Sequence, residues 1–530
     1  MALNSSGQIS ISSNVAGESI ALELGRSLVA PTSLNETTVR TLAEKPSGAV
    51  SMPVDFWGKG AFTNGTPTMA IFGNANSLIY VQILGIDMKS SVGTSYLVFN
   101  NGIVTDPVCS QVTDVGFNWA SIAANGTVST VNQFSTANAH IIDEYNNSDA
   151  IDNSSNFYAM IKTGNPVSVS YDRTLIKISN AGDISFAKTL SFLLYDSRYV
   201  ISKGTGSLYG TAGSYSDSTK GMLYKIDSSG NPVWAYTYPR VPGVPGNNGY
   251  LGEITLDISD NIYITTENNR TGPEANTTRN LFKLDSNATF QQSITWTRNN
   301  TSNTAAGAYN SYVDSFGNIY VVNNYYRTTT TAVNITIVAK FDSSMTLQWQ
   351  RQIASSASQT DTSITTDKDG NVYVAQHLAA TAPATAIWKW NSSGTMQWQR
   401  RLTSNTTLVS NTLRITTTLN TLQIAFEIQA TNYDMGCCST GLVNRPFFAM
   451  LPLDGSKTGT YSIPTGVVKT GAAANVTMTY SATTLTESAA SLTYTAGGSF
   501  TLTANSFTTS DLTVNTVTPS VVSKTGQIFL

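Results

Sequence analysis

The sequence is poor in charge, cysteine and histidine. Of 530 residues only 12% are Asp, Glu, Lys or Arg, and the formal net charge is -3. With no basic stripe to neutralise phosphates, nucleic acid is not an expected partner. The three cysteines, Cys109, Cys437 and Cys438, include an adjacent pair and cannot build a disulfide framework. They read as buried or incidental free thiols. The two histidines, His140 and His377, are far apart and stand in no metal-ligand motif, so neither a zinc site nor a catalytic triad has support. No apolar run is long enough to cross a bilayer, and residues Met1 to Gln8 lack the positive and apolar regions of a signal peptide, so neither membrane insertion nor conventional secretion is expected. A nucleotide-binding glycine loop is also missing, and no cofactor is expected.

What the chain has is β-forming material and a repeat. Hydrophobic residues make up 41% of it, enough to fill real cores, against a background rich in Ser, Thr, Asn and Gly that suits strands and tight turns. Five times an apolar residue precedes a lysine by two positions, and a polar turn follows: around Lys177, Lys225, Lys283, Lys340 and Lys389, with spacings of 48, 58, 57 and 49. A second phrase interlocks with the first, clearest in Asp257 to Ile264, Asp314 to Val321 and Asp367 to Val374, each an Asp/Asn-Gly-type turn running into a strand with a tyrosine. A period near fifty is too long for a solenoid coil and fits one four-stranded blade of a β-propeller. The best copy divides into strands at 363–366, 371–376, 386–391 and 395–401. Counting tyrosine-bearing strands near 80, 158, 209, 263, 320, 373 and 425 predicts seven blades, with six or eight open and the interval 80–158 irregular.

Three segments result: a small α+β module at 1–60, the propeller at 61–460 and a Thr-rich β segment at 461–530. In the module, Ser33 to Glu36 forms a capping box for a helix that carries Leu34, Val39 and Leu42 and ends at Pro46 and Gly48. Phe56 and Trp57 close it. Sixty residues make a marginal core, so support from a partner or from oligomerisation is expected. In the tail, Leu485, Leu492, Phe500, Phe507 and Leu512 recur between Ser/Thr/Asp and Thr. Such strands could stack as a small sheet, donate a strand that closes the ring, or intertwine with neighbouring subunits.

Most of the apparent chemistry reads as scaffold. The lysines recur in the same place in every blade, which favours a shared structural role such as pairing with a turn carboxylate or packing on an aromatic. Trp234, Trp349 and Trp398 are expected to fill space between blades. Asp367 to Asn371 begins like a calcium loop but lacks the closing carboxylate, so a plain Asp-Gly turn is the better reading. Glu144, Glu253, Glu267, Glu274 and Glu427 are the glutamates available for a paired-carboxylate glycosidase, and their spacing singles out no two. An enzyme is not expected.

The blade phrase resembles the β-propeller repeats of bacterial surface proteins and, more distantly, pyrroloquinoline-quinone-type repeats, whose cofactor-binding elements are not recognisable here. Gly7 to Ile11, Ser19 to Gly25, Ser33 to Ala43 and Pro46 to Lys59 together resemble the opening module of bacteriophage tail and fibre-like virion proteins, with Pro53-Val54 as a departure. The resemblance implies a structural protein of a tailed-phage virion, assembled in the host cytoplasm and located in the tail or a fibre, and the composition is in keeping with it. Its first sixty residues would dock to other tail proteins through Leu34, Val39, Leu42, Phe56 and Trp57, and its propeller, in a homo-oligomer, would face a host-surface glycan or protein. The alternatives are a tail-tip or nozzle assembly component without receptor binding, and a glycan depolymerase.

Overall fold

In a computed structural model, the described residues are 68–71, 86–91, 94–104, 112–123, 128–135, 140–142, 151–163, 172–190, 194–214, 220–239, 251–267, 277–298, 309–328, 332–355, 358–379, 384–405, 408–417, 421–430, 443–464, 475–483, 485–489, 494–496, 503–505, 509–511 and 515–517. They contain strands and turns and no helix. The proposed module at 1–60, with Leu34, Val39, Leu42, Phe56 and Trp57, lies outside them, as do Cys109, Cys437 and Cys438.

The strands form seven antiparallel blades. Blades 1 to 6 occupy 86–135, 140–190, 194–239, 251–298, 309–355 and 358–404, each as four successive strands. Blade 7 takes three strands from 408–452 and its fourth, outermost strand from Thr68–Ile71, which pairs with Val443–Pro452. The ring is thus closed by a strand from the N-terminal side, and the first strands of blades 7 and 1 touch. The best repeat copy has its strands at Ser358–Thr366, Val372–Ala379, Ala384–Trp390 and Met396–Ser404, longer than expected but in the same places. The irregular interval proves to hold a complete blade, whose second strand Thr94–Val104 carries Tyr96, whereas the segment counted near Tyr80 lies outside the described residues.

The core sits between blades. Alternating residues of each middle strand face opposite neighbours, as on any pleated sheet: Tyr373 and Ala375 pack toward blade 7 with Leu422 and Ile424, and Val372 and Val374 toward blade 5 with Tyr320 and Val338. Each sheet therefore has two buried faces, which is why the second and third strands read as nearly continuous apolar runs.

The Thr-rich tail follows none of the three expected courses. Asn475–Ala482, Thr486–Ala489, Tyr494–Ala496, Thr503–Asn505, Thr509–Asp511 and Asn515–Val517 pair in turn with the outer strands of blades 6, 5, 4, 3, 2 and 1. Every pairing is antiparallel, and the order runs backward around the ring. The cause is twist: at about 20–25° per strand, a fourth strand is turned by about 60–75° from the first and runs along the circumference. A tail travelling the opposite way meets each outer edge antiparallel and satisfies N–H and C=O groups that would otherwise be open to other chains. Leu485 shows the anchoring: its N–H donates to Gln399 Oε1 (2.9 Å), its carbonyl accepts from Gln399 Nε2 (3.1 Å), and its side chain packs on the core between blades 5 and 6.

Removing residues 466–530 is expected to uncover six blade edges while leaving the inter-blade cores. A thermal melt should move down by at least about 5 °C, and light scattering should rise with concentration. An unchanged melt and a monodisperse sample would show that the belt contributes nothing to the ring.

Candidate functional site

In blades 2 to 6 two turns, first to second strand and third to fourth, lie on one face of the ring and share one construction. In the first kind an aspartate anchors the loop. Asp367 Oδ1 accepts from the N–H groups of Asp369 (3.0 Å) and Asn371 (2.9 Å), and Oδ2 accepts from Asn371 Nδ2 (2.8 Å) and the Tyr373 hydroxyl (2.9 Å). Asp152, Asp257 and Asp314 repeat this with Tyr158, Tyr263 and Tyr320. With both oxygens of Asp367 engaged, the supposed start of a calcium loop is a turn anchor. Burial, reinforced by the neighbouring carboxylate, pushes these tyrosine hydroxyls well above their ordinary value, so they serve as donors.

The repeated lysines complete a latch from one blade to the next. Their ammonium groups stand over the tyrosine of their own blade at 5.2 Å (Lys177), 4.7 Å (Lys225), 5.4 Å (Lys283), 5.6 Å (Lys340) and 5.0 Å (Lys389) from the ring centre. Four of them also donate to a turn carbonyl of the following blade: Lys177 to Ser228 (3.3 Å), Lys283 to Ser343 (3.0 Å), Lys340 to Ser392 (3.1 Å) and Lys389 to Leu453 (3.0 Å). Burial lowers the Lys340 and Lys389 ammonium pKa values. The lysines are structural, as their recurrence implied, with carbonyls as their hydrogen-bond acceptors; among the described residues the one turn carboxylate within ion-pair distance is Asp152, 3.9 Å from Lys177.

The tryptophans join the same seam. Trp349 and Trp398 donate their indole N–H to Ser392 and Leu453, both at 3.1 Å, and their rings lie where a Cβ on Gly394 or Gly455 would stand, at 2.7 and 2.8 Å. Arg351 and Arg400 add bonds from Nε to the carbonyls of Gly394 (2.7 Å) and Gly455 (2.6 Å). Those two glycines are therefore required twice, by positive φ (77° and 70°) and by the indole.

The seam between blades 3 and 4 departs from the pattern. Ser202 replaces the anchoring aspartate, and Tyr209 reaches instead to Asp260 of blade 4, at 3.5 Å. The turn residue facing Trp234 is Ala288, also at positive φ (65°), and the two pack in one cluster. The buried Trp234 indole N–H has no acceptor there, and Lys225 makes no bond to the next turn. Ala288 holds in blade 4 the turn position that Gly394 and Gly455 hold in blades 6 and 7.

Inside the ring a polar network crosses from blade 5 to blade 6. Thr362 Oγ1 accepts from Asn324 Nδ2 (2.6 Å) and Gln376 Nε2 (2.9 Å), Gln376 Oε1 accepts from Thr336 (2.7 Å), and Asn310 donates to the Thr362 carbonyl. Ser95 bonds Gln423 between blades 1 and 7. Of the glutamates, Glu253 and Glu427 are buried on blades 4 and 7, which do not adjoin. The side chain of Glu267 and the whole of Glu144 and Glu274 lie outside the description. Among the described residues, no cluster of three His, Cys, Asp or Glu could hold a metal. His377 is buried on the second strand of blade 6, while for His140 only the backbone is described.

The face opposite the latches is where strand ends flank the long connections. The ends bounding 164–171, 240–250, 268–276, 299–308 and 431–442 all point to it, including those around the insert after Pro239 and around Cys437-Cys438, where the repeat phrase breaks. The recurring six-residue step from Asp to Tyr was the sequence signal for the turn anchors; the contacts of Trp349 and Trp398 with the next blade's glycine had no local signal.

No protein-family model matches the chain, and no curated protein matches it. Among solved structures it is similar to the NanB sialidase from Streptococcus pneumoniae, at 12% identity over 77% of this chain and 73% of that one, with a TM-score of 0.34. It is also similar to a protein of unknown function from Dyadobacter fermentans (10%, 73% and 98%, 0.37) and to the extracellular domains 1-2 of Drosophila Semaphorin 1b (8%, 76% and 93%, 0.35).

Two measurements check the latch. Ala288→Gly is expected to raise stability by about 1 kcal/mol in urea denaturation, since relief of the left-handed strain and a seated indole outweigh glycine's entropy. Gly394→Ala should lower it by about 3 kcal/mol; equal effects of the two changes would contradict the account. For His377, burial lowers the pKa from 6.5 to about 4. Because the folded value is the depressed one, the stability it protects is whole above pH 6.5 and drains as pH falls to 4, about 3 kcal/mol in all. His377→Gln should flatten stability across that window.

Proposed function

We propose that the chain is a structural protein of a tailed-bacteriophage virion, a tail or tail-fibre component whose propeller is displayed for host-surface recognition. The observation that carries the reading is the polarity of the ring. Thr68 pairs with Met450, close to the latch turn at 453–458, and Ile71 pairs with Phe447, so the chain enters blade 7 from the latch face. The first sixty residues, which resemble a virion-docking module, precede a strand that begins on the face closed by tight turns. The long connections leave from the other face.

A ring held in this way presents variable loops outward on a rigid base, which suits recognition of a glycan or protein on a cell. The reading needs no catalysis. Several copies on one particle, as a homo-oligomer in the tail, would let weak contacts add. The N-terminal residues would meet other tail proteins during assembly in the host cytoplasm.

Deleting residues 1–60 is expected to give a ring with an unchanged melt that is missing from purified particles, while the isolated protein still binds intact host cells. Normal incorporation of the deleted form would sink the docking assignment. Failure to bind cells, together with tight binding to other tail proteins, would make the ring an assembly collar, and release of reducing sugar from host polysaccharide would make it a depolymerase.

A further inference from the structure

The strand that closes the ring is the least supported of the fourth strands. Thr68–Ile71 has four residues where the other six have seven to nine. Each of those six is paired on both edges, by its own blade and by the tail, whereas among the described residues Thr68–Ile71 is paired on one edge only, with Val443–Pro452. Hydrogen bonds worth about 1 kcal/mol net each, along one edge of so short a strand, do not offset the roughly 1–2 kcal/mol that ordering each residue costs. Something besides backbone pairing holds this strand.

That support comes from the start of the tail. Gly459–Pro464 pairs with Asn475–Ala482, which pairs in turn with Met396–Ser404, so the sheet of blade 6 runs to six strands. Thr477 fixes the addition to the blade: its carbonyl accepts from the Asn405 N–H (3.2 Å) and its own N–H donates to Asn405 Oδ1 (2.9 Å). The outermost strand, Gly459–Pro464, comes to lie beside Thr68–Ile71 of blade 7. Residues opposite one another on paired strands share a face: Tyr461 with Met478, Tyr480 with Leu402, and Met69 with Ala449. All six belong to or pack on one apolar cluster between blades 6 and 7, in which Met69, Ile463, Met478 and Tyr480 are buried. Met69, on the closing strand, is thus buried in a core that the tail helps to build.

We propose that the strand pair Gly459–Pro464 and Asn475–Ala482 is a strap that decides whether the ring is closed. The closing strand stays seated only while the strap lies against it, and the strap loses apolar cover when the strand leaves. Because the strap follows blade 7 in the chain, it docks after every strand of the ring has been made, so closure is locked last and from the C-terminal side. The rest of the belt takes no part in this lock, since from Thr486 onward its pairings run away from blade 7.

The test is native-state hydrogen exchange on the full chain carrying Ile463→Ser and Met478→Ser. With that apolar area lost from the strap, exchange across Thr68–Ile71 should speed up by about tenfold or more, while the strands of blades 2 to 4 keep their wild-type rates. Met69→Ser, made from the other side, should speed exchange across Gly459–Pro464 by a similar factor, because a coupling between two elements is reciprocal. Leu485→Ser, which removes the next anchor of the tail, should leave Thr68–Ile71 unchanged. Wild-type exchange at Thr68–Ile71 in the strap variant overturns the proposal. Equal acceleration by Leu485→Ser overturns it too, because the belt as a whole would then hold the strand. If the strap variant does not fold, Met69→Ser decides alone: exchange across Gly459–Pro464 at the wild-type rate sinks the strap.

Discussion

The ring depends on a cation held between two blades. A half-buried lysine stands over a tyrosine of its own blade, whose hydroxyl is tied to the turn aspartate, and four of the five repeat lysines donate to a backbone carbonyl of the next blade. Each part makes the next affordable. The aspartate shapes the turn and receives the tyrosine, the tyrosine face offsets the lysine's lost water, and the lysine brings neighbouring sheets into register. Apolar packing between sheets supplies most of the stabilisation, but it is non-directional and does not by itself set how far one blade turns against another. The latch does, because a carbonyl must meet the ammonium group at about 3 Å.

A ring of separate sheets has an edge problem that latches do not solve. Each blade ends in an outer strand with a free row of N–H and C=O groups, and the chain covers those rows with its own two flanks. Thr68–Ile71 completes blade 7, and the Thr-rich tail serves the other six. The belt needs only three paired residues at most blades because its backbone is continuous: once Asn475–Ala482 is fixed on blade 6 by five paired residues, each later segment is already close to its edge. The frequency of Thr and Ser suits strands that are solvated on one side.

Much of this was legible in the sequence. The period near fifty announces blades, and the Asp-x-x-Gly-Asn turn followed by tyrosine marks the start of each second strand, because local hydrogen bonding alone dictates that geometry. Blade 1 was harder to see, since Ile86–Ser91 and Thr94–Val104 lack that turn, and Tyr96 had to be found by its place in the fold. The belt could not be read at all. Its last three strands pair with residues more than two hundred positions away, as Asn505 does with Ala235, and the tail's phrase says only that something apolar recurs. The incomplete seam was likewise hidden, because Ala288 for glycine and Ser202 for aspartate are mild changes until the indole of the neighbouring blade is placed. The five module residues proposed for docking fall outside the described part and stand on the sequence resemblance.

The two faces of the ring carry unequal freedom to change. On the latch face, turn residues are bound by positive φ, by carboxylate anchors and by indoles lying at 2.7–2.8 Å from any added Cβ, so substitution there disturbs two blades at once. The opposite face carries its connections on strand ends whose pairing is already complete in the sheet below. Length and composition can vary there without touching a latch, a core or a belt pairing. Within that constrained face Val233, Ile258 and Phe316 keep exposed side chains, the last two on turns whose backbones the scaffold holds.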